Sequence, residues 1–156
     1  MGTPATDPIA CQAQVALLRA VLDANIFVSA LLRPEGPPGQ VVECFLRDRA
    51  FDIVLAPAIV DEVLRALAYP KIRRLLRAGG DPNLWFEDIL VLADLVSGEF
   101  LLPRLCEDPD DDKYLAAAIE GLAEFVVTGD HLLLKLKKHA GVRIVGPRVF
   151  LNAIGV

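Results

Sequence analysis

The sequence predicts an α/β fold in which helices cover both faces of a parallel sheet. Short apolar runs alternate along the chain with helical patterns, beginning with "RAVLDA" at 19–24 and the helical "NIFVSALL" after it. Strands that are buried on both faces of a parallel sheet are apolar throughout, whereas half-exposed strands alternate. A chain of 156 residues, 54% of them hydrophobic, is long enough to bury one such core.

The first half of the chain continues this alternation. The turn-rich "RPEGPPG" ends the first helix, and a second helix is predicted at about 39–49, before a strand in "FDIVLA". The next helix, "PAIVDEVLRALA", begins with a proline, which suits the first turn of a helix. A short basic helix in "PKIRRLLRAGG" and a longer one in "DPNLWFEDILVLADLV" follow.

The second half predicts three more strands. "GEFLLP" at 98–103 reads as the third strand, and an acidic stretch then precedes a helix at 111–121. A strand in "EFVVTG", a helix in "HLLLKLKK", a strand in "VRIVG" and a short helix after Pro147 complete the pattern. The turn-rich residues 1–17 are predicted to be a flexible N-terminal extension, and residues 18–156 a single domain.

Composition excludes several classes of protein. No apolar run is long enough to span a membrane, and the first residues lack the features of a signal peptide. The three cysteines are widely separated, which predicts reduced thiols in a cytoplasmic protein. A net charge of −5 argues against a general polyanion binder. Acids that surround a cation count fully in this sum, however, although a bound ion offsets them.

Two acids follow predicted strands, at the sheet edge where open α/β folds bind their ligands. Asp23 ends the first strand, and Asp130 follows the strand in "EFVVTG". Asn25 and Thr128 add polar groups near the same edge. Each of the two acids also suits a plain structural role at a helix start or in an Asx turn, so neither is decisive alone.

A third acid, Asp111, belongs to a run of five acids within the six positions 107–112. It falls on the inward helical face that continues through Leu115, Ala118 and Leu122, with Asp112 at the flank of that stripe. The helix dipole favours an acid at this terminus, so a capping role remains open. Capping explains one acid of this run but not five.

A fourth acid lies beside the buried stripe of the helix in "PAIVDEVLRALA". Glu62 and Asp61 occupy opposite borders of that stripe, and periodicity does not choose between them. Carboxylates gathered in one place repel and raise one another's pKa unless a cation compensates them. Hard oxygen ligands of this kind suit Mg²⁺ or Mn²⁺, the ions with which many enzymes hydrolyse phosphodiesters.

Four segments carry a resemblance to a known family. "VLDANIFVSALL", "PAIVDEVLRAL", "DPDDDKYLAAA" and "VVTGD", in this order, resemble the PIN-domain family, in particular the toxins of VapC-type toxin–antitoxin systems. The resemblance runs from about residue 19 to about residue 150. It implies a three-layer α/β/α sandwich with a central, mainly parallel sheet. It also implies a Mg²⁺- or Mn²⁺-dependent ribonuclease that acts on RNA, forms a homodimer and pairs with an antitoxin.

The resemblance also assigns roles to residues. The implied catalytic and metal-binding acids are Asp23, Glu62, Asp111 and Asp130, with Asp112 as a further metal ligand and Asn25 and Thr128 as polar support. An ion on these acids would activate a water for attack on an RNA phosphate. Basic residues are predicted to contact RNA phosphates, above all Arg73, Arg74 and Lys135, and beside them Lys71, Arg77, Lys137 and Lys138.

One departure from the family pattern keeps other hypotheses open. The family often has a second acid two residues after the fourth-motif aspartate, where this chain has Leu132. A degenerate PIN domain that binds RNA or a protein without catalysis is therefore an alternative. A phosphatase of the haloacid dehalogenase type is disfavoured, because it needs an acid where this chain has Asn25.

Overall fold

A six-stranded sheet lies at the centre of the computed structural model, which describes residues 17–76, 80–100, 102–103, 106 and 108–156. The strands are β1 Arg19–Leu22, β2 Asp52–Leu55, β3 Asp94–Leu95, β4 Phe125–Val127, β5 Lys138–His139 and β6 Val142–Val145. Their order in the sheet is β3-β2-β1-β4-β6-β5. Every neighbouring pair is parallel except β5 and β6, which are antiparallel.

Helices pack around this sheet. Those in the described part of the chain are α1 Ala24–Leu32, α2 Pro37–Asp48, α3 Pro57–Ala68, α4 Pro70–Leu75, α5 Pro82–Leu92, α6 Asp112–Glu120, α7 His131–Leu134 and α8 Pro147–Ala153. A short 3-10 helix, Pro109–Asp111, leads into α6. The predicted three-layer α/β/α sandwich with a mainly parallel sheet is confirmed. None of the helices described here combines the length and the apolar composition that crossing a membrane requires.

The apolar run of β1 places this strand at the middle of the core. Ala20, Val21 and Leu22 are fully buried, as expected for a central parallel strand covered on both faces. Phe150 of α8 packs edge-to-face on Phe51 and on Phe125, with ring centroids 4.8 and 5.3 Å apart. Such pairs add to the apolar burial that holds the layers together.

Proline marks where many of the helices begin. Its fixed φ suits the first helical turn, and the backbone donor it lacks would have no partner inside the helix there. Five helices have proline within their first two positions, namely α2, α3, α4, α5 and α8. The predicted start of α3 at Pro57 is confirmed for this reason.

The third strand was predicted in the wrong place. The strand is Asp94–Leu95, and the described residues within 98–103 form none, while Leu101 lies outside the described residues. The predicted long helix ends earlier, at Leu92, which frees the next residues to pair with β2. Beyond β3, the Glu120 carboxylate accepts hydrogen bonds from the backbone N–H groups of Gly98 and Phe100 in this segment, which take the place of hydrogen bonds to a neighbouring strand.

The seventh helix is also shorter than predicted. It ends at Leu134, and Lys138–His139 forms the antiparallel edge strand β5 instead. Lys137 and Ala140 have positive φ values of 63° and 52°, so the chain cannot continue as a regular helix here. The predicted N-terminal extension lies outside the described residues except for Leu17, as does Arg77.

Helix α6 runs antiparallel to β1 and carries its acidic start to the carboxyl end of that strand. At its far end, Arg19 of β1 donates a hydrogen bond from Nε to the Gly121 carbonyl oxygen at 2.8 Å. A Cβ on Gly121 would lie 2.5 Å from Cγ1 of Val54, so glycine permits this close approach to the sheet. At the other end, Tyr114 reaches Ala24, just after β1. The fold thereby brings the acidic run to the ligand-binding edge.

Candidate metal centre

Asp23 lies where β1 passes into α1, and its carboxylate is buried. Its backbone N–H donates to the Val127 carbonyl oxygen at 2.9 Å, which keeps it aligned with β4. Oδ1 accepts a hydrogen bond from the Asn25 N–H at 3.1 Å and so caps α1. Oδ2 accepts from the Thr128 hydroxyl at 2.7 Å. Capping therefore explains one oxygen of Asp23, and the other faces the neighbouring strand end.

Thr128 connects the two strand-end acids. Its side chain is fully buried, and the same hydroxyl that donates to Asp23 accepts a hydrogen bond from the Asp130 N–H at 3.0 Å. The Asp130 carboxylate, partly buried, accepts from the Leu132 N–H through Oδ1 at 2.9 Å and caps α7. The structure thus brings Asp23, Thr128 and Asp130 together at one edge of the sheet.

Asp111 has the least compensated carboxylate of this edge. It is 8% exposed, and its Oδ2 is buried without a hydrogen-bond partner among the described residues. Burial, followed by the negative charge of Asp130, Asp108, Asp23 and Asp110, raises the pKa of Asp111 from 3.8 to about 6. Burial and the neighbouring charges therefore favour either the protonated acid or a cation beside this oxygen.

The rest of the acidic run has other partners. Asp112 accepts a hydrogen bond from the Cys106 N–H through Oδ1 at 2.8 Å. Asp108 accepts one from the Asp110 N–H at 3.0 Å, and Asp110 pairs with Lys113 at 2.9 Å. Glu107 lies outside the described residues. Within the described part of the run, Asp111 is the buried member, as the helical-face pattern indicates.

Glu62 approaches the same edge from α3. Its Oε1 accepts a hydrogen bond from the Tyr114 hydroxyl at 2.5 Å and lies 2.7 Å from Nζ of Lys113. The Tyr114 hydroxyl also accepts one from the Ala24 N–H at 3.4 Å, which joins Glu62 to the start of α1. Asp61 is exposed. Sequence periodicity left Glu62 and Asp61 equivalent, and the tertiary structure brings Glu62 to this edge.

Sequence reasoning missed Lys113 and Tyr114. Tyr114 is 2% exposed and Lys113 is partly buried, and both contact Glu62. Burial lowers the pKa of Lys113, but hydrogen bonds to Glu62 and Asp110 outweigh it, so the net shift is upward. Their position directly after the acidic run is the one local signal, and it does not identify Glu62 as their partner.

An open groove of about 490 Å³ adjoins Glu62 and Asn25. Arg65 of α3 and Tyr69, which directly follows this helix, also line the groove. Asn25 is exposed, and its backbone rather than its side chain contacts Asp23. The predicted RNA contacts Arg73 and Arg74 on α4, and Lys135 after α7, are exposed to solvent, as are Lys71, Lys137 and Lys138.

The donors at this edge suit a hard divalent cation. Asp23, Asp111 and Asp130 supply carboxylate oxygens, the ligands that Mg²⁺ and Mn²⁺ prefer, and one oxygen of Asp111 is buried without a partner in the described part of the chain. Among the described residues, no three His, Cys, Asp or Glu side chains lie close enough together, as they stand, to hold a metal ion. The negative charges of Asp130 and Asp23 are nevertheless among the causes that raise the pKa of Asp111, so the three carboxylates lie near one another at this edge.

Known proteins with this architecture are similar to the chain. It is 31% identical over 124 residues to protein MJ1680 of Methanocaldococcus jannaschii, which is described as uncharacterised. The aligned residues cover 77% of this chain and 76% of that relative. VapBC2 from Rickettsia felis, solved bound to a DNA fragment from its promoter, matches with a TM-score of 0.54. At 12% identity, that match covers 83% of this chain and 98% of the other.

A second solved structure, PAE2754 from Pyrobaculum aerophilum, gives a TM-score of 0.48 at 17% identity and covers 90% of this chain and 92% of that one. The family model described as PIN domain matches residues 19–132, a stretch that runs from the first strand through the acid after the fourth. Since this match includes every strand end and helix that contributes an acid to the edge described above, the chain belongs to the PIN-domain family.

Proposed function

We propose that the protein is a Mg²⁺- or Mn²⁺-dependent endoribonuclease and the toxin of a type II toxin–antitoxin pair. One observation carries the proposal: a carboxylate oxygen of Asp111 is buried beside two other acids and has no hydrogen-bond partner among the residues that the structure describes. Membership of the PIN-domain family and the fold shared with VapBC2 support it. A chain that buries such a charge at its ligand-binding edge is suited to a divalent ion.

Asp23, Asp111 and Asp130 would hold the ion. When bound, it would supply an activated water and neutralise charge on the phosphodiester under attack. The Thr128 hydroxyl orients Asp23, and its second contact holds the Asp130 backbone in place. Removal of a supporting contact of this kind typically costs about 10- to 100-fold in metal affinity. No side chain is needed as the nucleophile.

The substrate and partners follow from the same proposal. Arg73, Arg74 and Lys135, with Arg65 in the groove beside Glu62, are the cations available to contact RNA phosphates. We place the protein in the cytoplasm, where Cys44 and Cys106, both buried and unpaired, remain reduced. We further propose a homodimer and a cognate antitoxin as its protein partners.

An RNA cleavage assay tests the nuclease. Single-stranded and structured RNA are incubated with the protein in EDTA, Mg²⁺ or Mn²⁺, beside D23N, D111N and the matched control D61N, whose acid is exposed. We expect metal-dependent cleavage that falls at least about 100-fold in D23N and D111N, since even outer-shell partners of a metal contribute 10- to 100-fold. D61N should cut like the wild type. Cleavage in EDTA, or full activity of D111N, contradicts the proposal.

A degenerate PIN domain that binds RNA or a protein without cutting it is the second candidate. Leu132 favours it, because this side chain supplies no ligand where the family often has an acid, and it is 44% exposed. In the same assay, RNA binding without cleavage in either metal would identify this function. Hydrolysis of p-nitrophenyl phosphate without RNA cleavage would instead favour the phosphatase.

A further inference from the structure

The positive charge nearest to Glu62 comes from the chain itself. Nζ of Lys113 lies 2.7 Å from Glu62 Oε1 and 2.9 Å from Asp110 Oδ2. Only 16% of the Lys113 side chain is exposed, and Nζ lies 5.3 Å from the centroid of the Tyr114 ring. Two carboxylates and an aromatic face therefore hold this ammonium in one place.

Glu62 Oε1 already has two donors. The Tyr114 hydroxyl donates to it at 2.5 Å, and Lys113 approaches the same oxygen. The Tyr114 hydroxyl also accepts a hydrogen bond from the Ala24 N–H. Glu62 therefore cannot change its orientation without losing its contacts with Tyr114 and Lys113. An incoming cation would have to compete with Lys113 for this carboxylate, and the separation of the partly buried ion pair would oppose it.

The surroundings of Asp111 differ from those of Glu62. Asp111 Oδ2 is buried and has no hydrogen-bond partner among the described residues, and the acids around it add further negative charge. The negative charge that the described residues leave uncompensated is thus at Asp111 and not at Glu62. Leu132 adds no ligand that could build a second ion site near Asp130.

We infer that Lys113 is a built-in cation that neutralises Glu62, so that the protein binds one divalent ion, held by Asp23, Asp111 and Asp130 without Glu62. Lys113 then occupies, beside Glu62, the place that a second metal ion takes in two-ion phosphodiesterases. This inference rests on the proposed function only in that the edge binds a divalent cation. It requires no RNA cleavage.

Calorimetric titration of the metal-free full chain with Mn²⁺ tests the inference. The wild type should bind one ion per chain, and K113M should bind two, because Glu62 becomes available as a ligand. K113R keeps the charge and should bind one. The pair variant E62Q/K113M should also bind one ion, with a Kd within about threefold of the wild type, since no ligand is lost.

Three results would overturn the inference. These are two ions on the wild type, one ion on a folded K113M, or a Kd for E62Q/K113M that is weakened about 10-fold or more, the smallest loss that removal of a metal's supporting residue typically causes. The pair variant keeps the test decisive if K113M alone does not fold. RNA cleavage measured on the same samples separates the two proposals. The expected stoichiometries without cleavage would refute the nuclease and leave the role of Lys113 intact.

Discussion

Two acids at opposite ends of one helical segment illustrate different uses of a carboxylate. Glu120, the last residue of α6, accepts hydrogen bonds from the backbone N–H groups of Ser97, Gly98 and Phe100 and from the Ser97 hydroxyl. The hydrogen bond from the Ser97 side chain and those from the backbone lower the pKa of Glu120. Gly98 has φ of 79°, a conformation that lets the loop turn its donors toward the carboxylate.

Asp111, just before α6, is the reverse case. It is buried, one oxygen has no partner in the described part of the chain, and its pKa rises to about 6. Folding ordinarily supplies donors to a carboxylate that has a structural role, because an unpaired buried charge is costly. The difference between Glu120 and Asp111 therefore separates an acid that holds a loop from an acid whose charge the described residues leave uncompensated.

The largest expected effect concerns the stability of the metal-free protein. The folded-state pKa of Asp111 is raised from 3.8 to about 6, so between these values the folded state binds more protons than the unfolded state. The free energy of unfolding therefore falls as pH rises through this window, by up to about 3 kcal/mol for this shift. In EDTA at about pH 7.5, D111N should be more stable than the wild type by up to that amount.

Urea denaturation measures this difference. Near pH 4 the gain from D111N should vanish, because the wild-type carboxyl is then protonated in the folded state. Mn²⁺ at about 1,000 times its Kd should reverse the order, since it then stabilises the wild type by about 4.1 kcal/mol. A D111N protein that is less stable than the wild type in EDTA at neutral pH would show that Asp111 has a partner within the fold.

The next effect concerns Thr128, which serves Asp23 as Ser97 serves Glu120. T128V keeps the shape of the side chain but removes the hydroxyl that donates to Asp23 and accepts from the Asp130 N–H. We expect Mn²⁺ affinity, measured by calorimetry, to fall about 10- to 100-fold. We also expect a loss of about 1–3 kcal/mol in the free energy of unfolding, because two buried polar groups lose their partner.

T128S is the matched control for this change. It retains the hydroxyl and should keep Mn²⁺ affinity close to that of the wild type, with a smaller loss of stability from the missing methyl group. Equal loss of affinity in T128S and T128V would show that packing rather than the hydrogen bond orients Asp23.

The smallest effect is expected at Glu120. Its folded-state pKa is lowered, so its contribution to stability is present above the unfolded value of 4.5 and is lost as pH falls through the folded value. E120Q should be slightly less stable than the wild type at neutral pH, with the difference disappearing in acid. Thermal unfolding measures it. Mn²⁺ affinity and RNA cleavage should not change, and a loss of either would link the loop at Ser97 to the metal centre.

Much of the fold follows from local patterns. The strand ending at Leu22 and the helix Pro57–Ala68 were predictable, because a continuous apolar run and an initial proline leave few other structures. The apolar segment 98–103 misled the prediction for a physical reason. The backbone N–H groups of Gly98 and Phe100 donate to the distant Glu120 carboxylate, and nothing in the sequence of the segment itself indicates that partner.

The residues of the candidate site likewise include some that were predictable from the sequence and some that were not. Asp23, Asp130 and Asp111 were predictable from strand ends and from a helical face, which are local features. Their roles as metal ligands stay a prediction. The contribution of Lys113 and Tyr114 was not predictable, because it depends on a contact between α6 and α3, 52 residues apart for the Tyr114–Glu62 hydrogen bond.

The sequence by itself determined which residues are apolar, where helices begin, and that four acids occur at positions suited to one sheet edge. Only the tertiary structure decided which of these acids are compensated. Glu62 meets Lys113 and Tyr114, whereas Asp111 is buried with an oxygen that has no partner in the described chain. The physical reason is that the free energy of a buried charge depends on the donors and cations within a few ångströms of it, and packing sets those neighbours.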